Sequence, residues 1–582
     1  MLKRRYDPVA VVLALFVALV PILGAMCDKT AVTYASFCVA LFILGYVLYK
    51  NGKIVLTKTA VLMASVALYS FLGLFWVSDK GAHFGYSLVF LTSATVTFGV
   101  QNVKKSMGEV FNEGILRLSY VLALIYGGIA LFCQIFIESN LMFGGMDLVG
   151  GSSTMTACIM LFGIYSCVKL FENKPKSLAY YPACVFMSLI FVLAGSFAGY
   201  LCGGALLLFV AVNVRKKRAE IFAAWVIAVV TAVLNIGYVI VLIFANSVNT
   251  QGALRALVGV VGMGKGGYNA SVAILNAGYK TAPPVFIEII EALGIVGLGL
   301  VLLAVLLVWI VCTNSQKSGS VLTAVCFCAI IFTSSNAFLC MLPLFAMLFS
   351  LSEEGMEINA SPALSFGVVL PFALLVVLTF SRIPYALGYN ALELRDYTKA
   401  EEYFEFGAKC EMFNSQGWEM AYIASEKAFS EGNDNLLKQA EYAQNAQKFN
   451  KKNYNYRKYL SDVREREGDM MGMIGLWEGI ISRYDKEALY PEYARKISLV
   501  MEKGEVNLVQ MTTLYNTLEE YANKAVSAPI KKEVNDILAK SQKFYIEKRE
   551  GKIEEPREEE TIYYYEQETE YTEPTEAMTE EV

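Results

Sequence analysis

The stretch "GVVLPFALLVVLTFSRIPYALGYNALELRDYTKAEEYFEFGAKC" (residues 367–410) holds the change of character on which the fold turns. Up to Phe380 it is apolar and uncharged, and from Arg382 it becomes polar, aromatic and charged. The same change divides the whole chain. Upstream lie long apolar runs with short polar breaks; downstream the sequence is rich in Tyr, Glu, Lys and Asn. The 582 residues are 56% hydrophobic and 18% charged, with a mean hydropathy of +0.46. Soluble domains carry about a quarter charged residues. The composition therefore predicts a membrane part over 1–382 and a polar part after it.

A membrane helix needs about 20 mostly apolar residues. Thirteen runs meet that expectation, near 9–26, 32–49, 59–77, 84–101, 118–137, 154–170, 179–195, 198–213, 221–245, 285–312, 321–336, 338–351 and 364–380. The fold class expected is all-α: a polytopic bundle of about 13 spans.

Charge bias orients it, because short cytoplasmic loops hold an excess of Lys and Arg. With the N-terminus inside, the inner segments hold sixteen basic residues and the outer loops five: Lys29, Lys80, Arg255, Lys265 and Lys280. The exception is the acidic "SEEGME" at 352–357. The expected placement is a multi-pass protein of the cytoplasmic membrane. Its N-terminus is cytoplasmic, and an odd number of spans exports the C-terminal region. The longest inter-helix loop, 246–283, then lies outside. No small-x-small site marks the first span as a cleaved signal.

The C-terminal region reads as helix pairs. "DYTKAEEYFEFGAKC" (396–410), "NLLKQAEYAQNAQKF" (435–449) and "DMMGMIGLWEGIISRY" (469–484) each follow a polar turn, with apolar residues at helical spacing. Ala400, Ala440 and Met473 take equivalent positions, and 415–432 and 454–469 supply helices between them. The repeat resembles tetratricopeptide hairpins of 34 residues. It predicts an α-helical repeat domain over 383–548 that binds protein partners rather than a catalytic pocket. The Glu- and Thr-rich tail 549–582 has little aliphatic content and is expected to be disordered.

Eleven of the twelve cysteines lie in or beside spans, and the spacing is neither a disulfide framework nor a zinc motif. The chain has one histidine, His83. No metal and no other cofactor is expected, nor a nucleic-acid partner.

Four segments carry a resemblance to the O-antigen ligase/polymerase family. "LGLFWVSDKGAHFGYS" (72–87) is similar to that family's entry to the first outer loops, and "LAGSFAGYLCGGALLL" (193–208) to its Gly-Ser-Arg-Gly helix entry. "GALRALVGVVGMGKGGYNAS" (252–271) resembles its loop arginine followed by Gly-x-Gly. "PPVFIEIIEALGIVGLGL" (283–300) resembles its His-Asn-x-x-Leu helix entry ending in Gly-x-x-Gly. The resemblance implies glycan transfer from a polyprenyl-pyrophosphate carrier, such as undecaprenyl pyrophosphate, to a glycan or cell-envelope acceptor. In that family a histidine serves as base and arginines hold the pyrophosphate. Here Pro283 and Pro284 stand in the His-Asn places and Phe197 in the place of an arginine; Arg255 alone carries over.

The chemistry left to the chain is accordingly specific. A departing diphosphate needs positive charge. Arg255 offers a planar fork, and Lys265 and Lys280 share its loop. An acceptor hydroxyl needs a base. Glu288, Glu291 and His83 are the candidates, with Asp79 beside them. A carboxylate at the edge of the hydrocarbon is costly unless paired or wet, which marks the two glutamates. Three functions stay open: a glycan transferase of cell-surface polysaccharide biosynthesis, a catalytically degenerate scaffold in a polysaccharide assembly complex, or a lipid-linked glycan transporter.

Overall fold

The computed structural model describes residues 8–26, 29–107, 109–136, 153–173, 180–194, 201–208, 247–264, 284–314, 355–361, 367–411, 413–430, 435–451, 453–503 and 505–552, with isolated positions between them. Most of the described residues are helical. In chain order the first elements are α1 (Pro8–Met26), α2 (Lys29–Asn51), β1 (Lys53–Leu56), α3 (Lys58–Gly73), α4 (Lys80–Met107), α5 (Glu109–Phe136), α6 (Ser153–Asn173) and α7 (Tyr180–Leu193). Then come α8 (Ser247–Val258), α9 (Val285–Asn314), β2 (Met356–Asn359), α10 (Val369–Phe380), α11 (Arg382–Glu393), α12 (Tyr397–Cys410), α13 (Ser415–Ser430) and α14 (Leu436–Phe449). The last are α15 (Tyr454–Glu467), α16 (Met470–Tyr484), α17 (Tyr490–Lys503), α18 (Leu508–Lys524) and α19 (Ala528–Arg549).

Among the described residues, four helical stretches are long and apolar enough, by length and composition, to cross a membrane: Thr30–Lys50, Val110–Phe136, Val285–Leu303 and Pro371–Glu393. Of the thirteen expected spans, those near 221–245, 321–336 and 338–351 fall largely outside the described residues. The run expected at 59–77 is helical over 16 residues. At about 1.5 Å per residue that is about 24 Å, less than the roughly 30 Å of a hydrocarbon core.

The chain divides into two compact units, Met1–Gly432 with Asn445–Lys452, and Asn433–Gln444 with Asn453–Val582. The boundary therefore falls within the helices that follow the change of composition near 381, not at that change.

In the first unit, α1–α7 and α10 enclose an apolar core that includes Leu13, Ile43, Val96, Met160, Phe191 and Leu378. Small residues permit close approach: a Cβ on Gly99 would lie 2.3 Å from Ile43, and one on Gly163 2.3 Å from Ala123. Such packing holds helices together where lipid removes the hydrophobic drive between them. The same helices leave Leu15, Phe42, Leu68, Ile129 and Phe132 exposed, as surfaces facing hydrocarbon would be.

Helix α10 runs back along α2, with Val368 near Gly45 and Thr379 near Cys38. A two-stranded sheet accompanies the all-α architecture: β1 and β2 pair antiparallel, Lys53 opposite Asn359 and Leu56 opposite Met356. This ribbon explains the acidic exception among the loops. Glu357 sits between Lys53 of β1 (3.5 Å) and Lys105 in the last turn of α4, so its charge is balanced by these two lysines.

In the second unit α15 and α16 pack as neighbours, as do α17, α18 and α19. Their ends are set locally. Asn453 caps α15, Asp469 caps α16, and Asn507 with Gln510 forms a capping box on α18. Trp477, Ile480, Tyr493, Ile497 and Leu518 are buried, and the Trp477 and Tyr493 rings stack at 6.2 Å. The helices expected at 396–410, 435–449 and 469–484 correspond to α12, α14 and α16. Ala400 and Met473 are buried and Ala440 half-buried. Nearly all of the expected tail, from 553, lies outside the described residues.

Candidate functional site

Three of the four family-like segments meet in the first unit. The turn after α3 brings Trp76 against the loop after α8, where its indole Nε1–H donates to the Gly262 carbonyl at 3.0 Å. Tyr69 packs on that indole, with centroids 6.2 Å apart. A Cβ on Gly264 would lie 2.8 Å from Val77, and Gly264 itself has φ +86°, so both space and backbone call for glycine.

The loop 259–264 in turn grips α9 where that helix breaks. Gly294 has φ 60° and ψ −133°, a conformation essentially reserved for glycine. The carbonyls and amides freed by the break find partners in the loop. Met263 N donates to the Glu291 carbonyl (2.8 Å), and Ile295 N donates to the Val260 carbonyl (3.3 Å). A Cβ on Gly297 would lie 2.3 Å from the Ile289 carbonyl, so the two arms of α9 fold closely on each other. The run expected to span at 285–312 is thus not one straight helix. Non-helical backbone at such a place is tolerated where protein covers it, and here the loop does so.

Glu288 and Glu291 stand on the first arm, three residues apart and on one face. Glu288 N donates to the Pro284 carbonyl (3.1 Å), which starts the helix at the second proline. Both carboxylates are buried rather than at an open mouth: Glu288 is 7% exposed and Glu291 1%. The phenol of Tyr86 on α4 lies within electrostatic reach of Glu288.

Arg255 lies on α8, whose Ala253 packs with Ile287 and Ile290 of α9. Arg255 itself is exposed. Lys265, Lys280 and Pro283 lie outside the described residues, as does Phe197.

His83 occupies the first turn of α4 and is 1% exposed. Its Nε2 lies 2.9 Å from the Ser70 carbonyl, so that nitrogen carries the hydrogen. Ser70 and Ser87 hydroxyls are 2.6 Å apart, and Ser87 donates to the His83 carbonyl at 2.8 Å. The result is a closed polar link between α3 and α4. A Cβ on Gly73 would lie 2.6 Å from Nε2, so the glycine makes room for the ring. Asp79, the further base candidate, is committed as a cap: its Oδ1 accepts from Ala82 N at 3.1 Å and its Oδ2 from Asn450 at 3.1 Å.

Tyr86, and the pairing of Trp76 with Gly262, are what sequence reasoning missed. A tryptophan in a turn between apolar helices is a visible signal, but nothing local pairs it with Gly262. No family model, curated protein or solved structure matches the chain.

Proposed function

We propose that the chain is a membrane glycan transferase of the O-antigen ligase/polymerase type. It acts at the outer face of the cytoplasmic membrane on a glycan linked to polyprenyl pyrophosphate. The observation that carries this reading is the meeting of the turn 74–79, the loop 259–264 and the first arm of α9, three segments that carry the resemblance. In the reaction, a base takes the proton of an acceptor hydroxyl as its oxygen bonds to the anomeric carbon. The glycosyl–phosphate bond breaks, and the diphosphate leaves with the carrier lipid. Glu288 is the base in this scheme, and Arg255 meets the charge of the leaving group. The helical repeats after the membrane part recruit the acceptor or protein partners.

One observation favours a second reading. A broken helix beside buried carboxylates is the usual architecture of a transporter's substrate or ion site. A lipid-linked glycan transporter is therefore the alternative.

The test uses purified protein in liposomes with lipid-linked donor, comparing wild type, Glu288→Gln and Glu291→Gln. Loss of a general base lowers turnover about 10²–10⁴-fold, and Glu288→Gln is expected in that range. Movement of intact donor between leaflets without a new glycosidic bond would favour the transporter. A wild type inert in both assays would leave the scaffold, with the two prolines marking a lost active site.

A further inference from the structure

The first helical hairpins after α10 belong to the first unit, together with residues 445–452. Three contacts tie them to the start of α2, the end of α3 and the stretch 74–83, which is the turn after α3 with the first turn of α4. The first is polar. Glu411, 5% exposed, accepts from the Tyr34 hydroxyl of α2 at 2.8 Å and from Arg382 at 3.0 Å, and Asn414 donates to it as well. Arg382 also lies over the Tyr385 ring at 4.6 Å.

The second contact is aromatic and steric. Phe71, Phe84, Phe413 and Phe449 form a chain of edge contacts at 6.0, 6.0 and 6.2 Å. A Cβ on Gly81 would lie 2.5 Å from the Phe413 carbonyl, so backbone meets backbone there. Phe413 holds φ 62°, a left-handed conformation that a bulky residue keeps only where its surroundings enforce it.

The third contact pairs Asp79 with Asn450 through an isolated antiparallel bridge and the 3.1 Å side-chain bond. Asn450 is 4% exposed. This bond lands on the N-cap of α4, three residues from Trp76. Trp76 in turn holds Gly262, and its loop holds the break in α9.

We propose that α11–α13 with residues 445–451 form a fixed cap of the membrane unit, and that Asp79 and Asn450 are positioning residues for the candidate site. The cap sets the turn 74–83, and the turn sets the loop 259–264 through Trp76. The role in transfer rests on the glycan-transferase reading; the cap itself does not.

A residue swap tests it on the full-length protein in nanodiscs. Asn450→Asp faces Asp79 with a second carboxylate. Asp79→Asn with Asn450→Asp restores a donor–acceptor pair, and Asn still caps a helix. Amide exchange is followed at 80–86, 259–264 and, as internal reference, 508–549. Losing a hydrogen bond to a charged group speeds opening about 10–100-fold. N450D is expected to exchange at least about tenfold faster at 80–86 and 259–264 and unchanged at 508–549, with the double variant at wild-type rates. The turnover number should fall and recover in parallel, with KM for the lipid-linked donor unchanged. Wild-type exchange in N450D, or no recovery in the double variant, overturns the cap. If N450D does not reach the membrane, recovery of the double variant supports the cap and its failure overturns it. If exchange behaves as expected while wild type forms no glycosidic bond, the cap stands and only the transferase reading falls.

Discussion

Replacing Gly294 with alanine tests the break in α9 directly. A straight membrane helix would accept the change and gain from it, since alanine is favoured over glycine inside helices by about 0.5–1 kcal/mol. The broken helix makes the opposite demand. Gly294 sits at φ 60° and ψ −133°, where an L-residue costs about 1–3 kcal/mol. The added Cβ would also lie 2.6 Å from the Val260 carbonyl oxygen and 2.8 Å from Gly262 N. Both are backbone atoms held by the loop, so no side chain can swing aside. Together these give a loss of about 3 kcal/mol or more, a large share of the roughly 5–15 kcal/mol that keeps a protein folded. Gly262→Ala and Gly297→Ala should behave alike, because their Cβ atoms would lie 2.1 Å from the Ala292 carbonyl oxygen and 2.3 Å from that of Ile289. Gly299 is the control: a Cβ there meets nothing within 4 Å. Thermal unfolding in nanodiscs, with membrane yield measured alongside, should show the first three variants well below wild type and Gly299→Ala at or above it. A Gly294→Ala protein as stable as wild type would falsify the break.

Three further outcomes follow from other contacts. Arg255→Ala should abolish glycan transfer with the protein still in the membrane, and Arg255→Lys should restore it in part, because an ammonium lacks the planar fork; wild-type polymer from the alanine variant removes Arg255 from the site. Trp76→Phe keeps a ring but loses the donor to Gly262, a bond of about 1 kcal/mol; transfer should drop without loss of expression, and unchanged transfer would separate that turn from the site. In the second unit, Lys524, with Tyr490 assisting, holds the Asp485 carboxyl below its ordinary value. Its contribution is therefore complete above the unfolded value of about 3.9 and is lost as pH falls through the lowered folded value. Asp485→Asn keeps the left-handed cap that Asp485 makes and should flatten the acid limb of stability against pH; an unaltered acid limb would show that the pair is silent.

The sequence by itself determined what depends on neighbours along the chain. The helices α12, α14 and α16 follow from apolar spacing, and the polar residues Asp396 and Asp469 mark two of their starts. Helical hydrogen bonds join residues four apart, so composition and caps are enough to locate them. The apolar runs of α2 and α5 are legible for the same reason. Among the site residues, the common face of Glu288 and Glu291 was legible from their spacing, but their burial was not. The tertiary structure alone decided the rest. The break at Gly294 exists because a loop some thirty residues earlier supplies partners for the freed backbone. In sequence "ALGIVGLGL" reads as well for a straight span. The pairing of β1 with β2 joins residues about 300 apart, and only that pairing puts Glu357 beside Lys53. Likewise nothing near Asp79 announces Asn450, nor anything near Gly81 the carbonyl of Phe413. A side chain's chemistry is written locally. Its partner is chosen by how distant segments pack, since burial and hydrogen bonding across the fold depend on which surfaces can approach closely enough to exclude everything else.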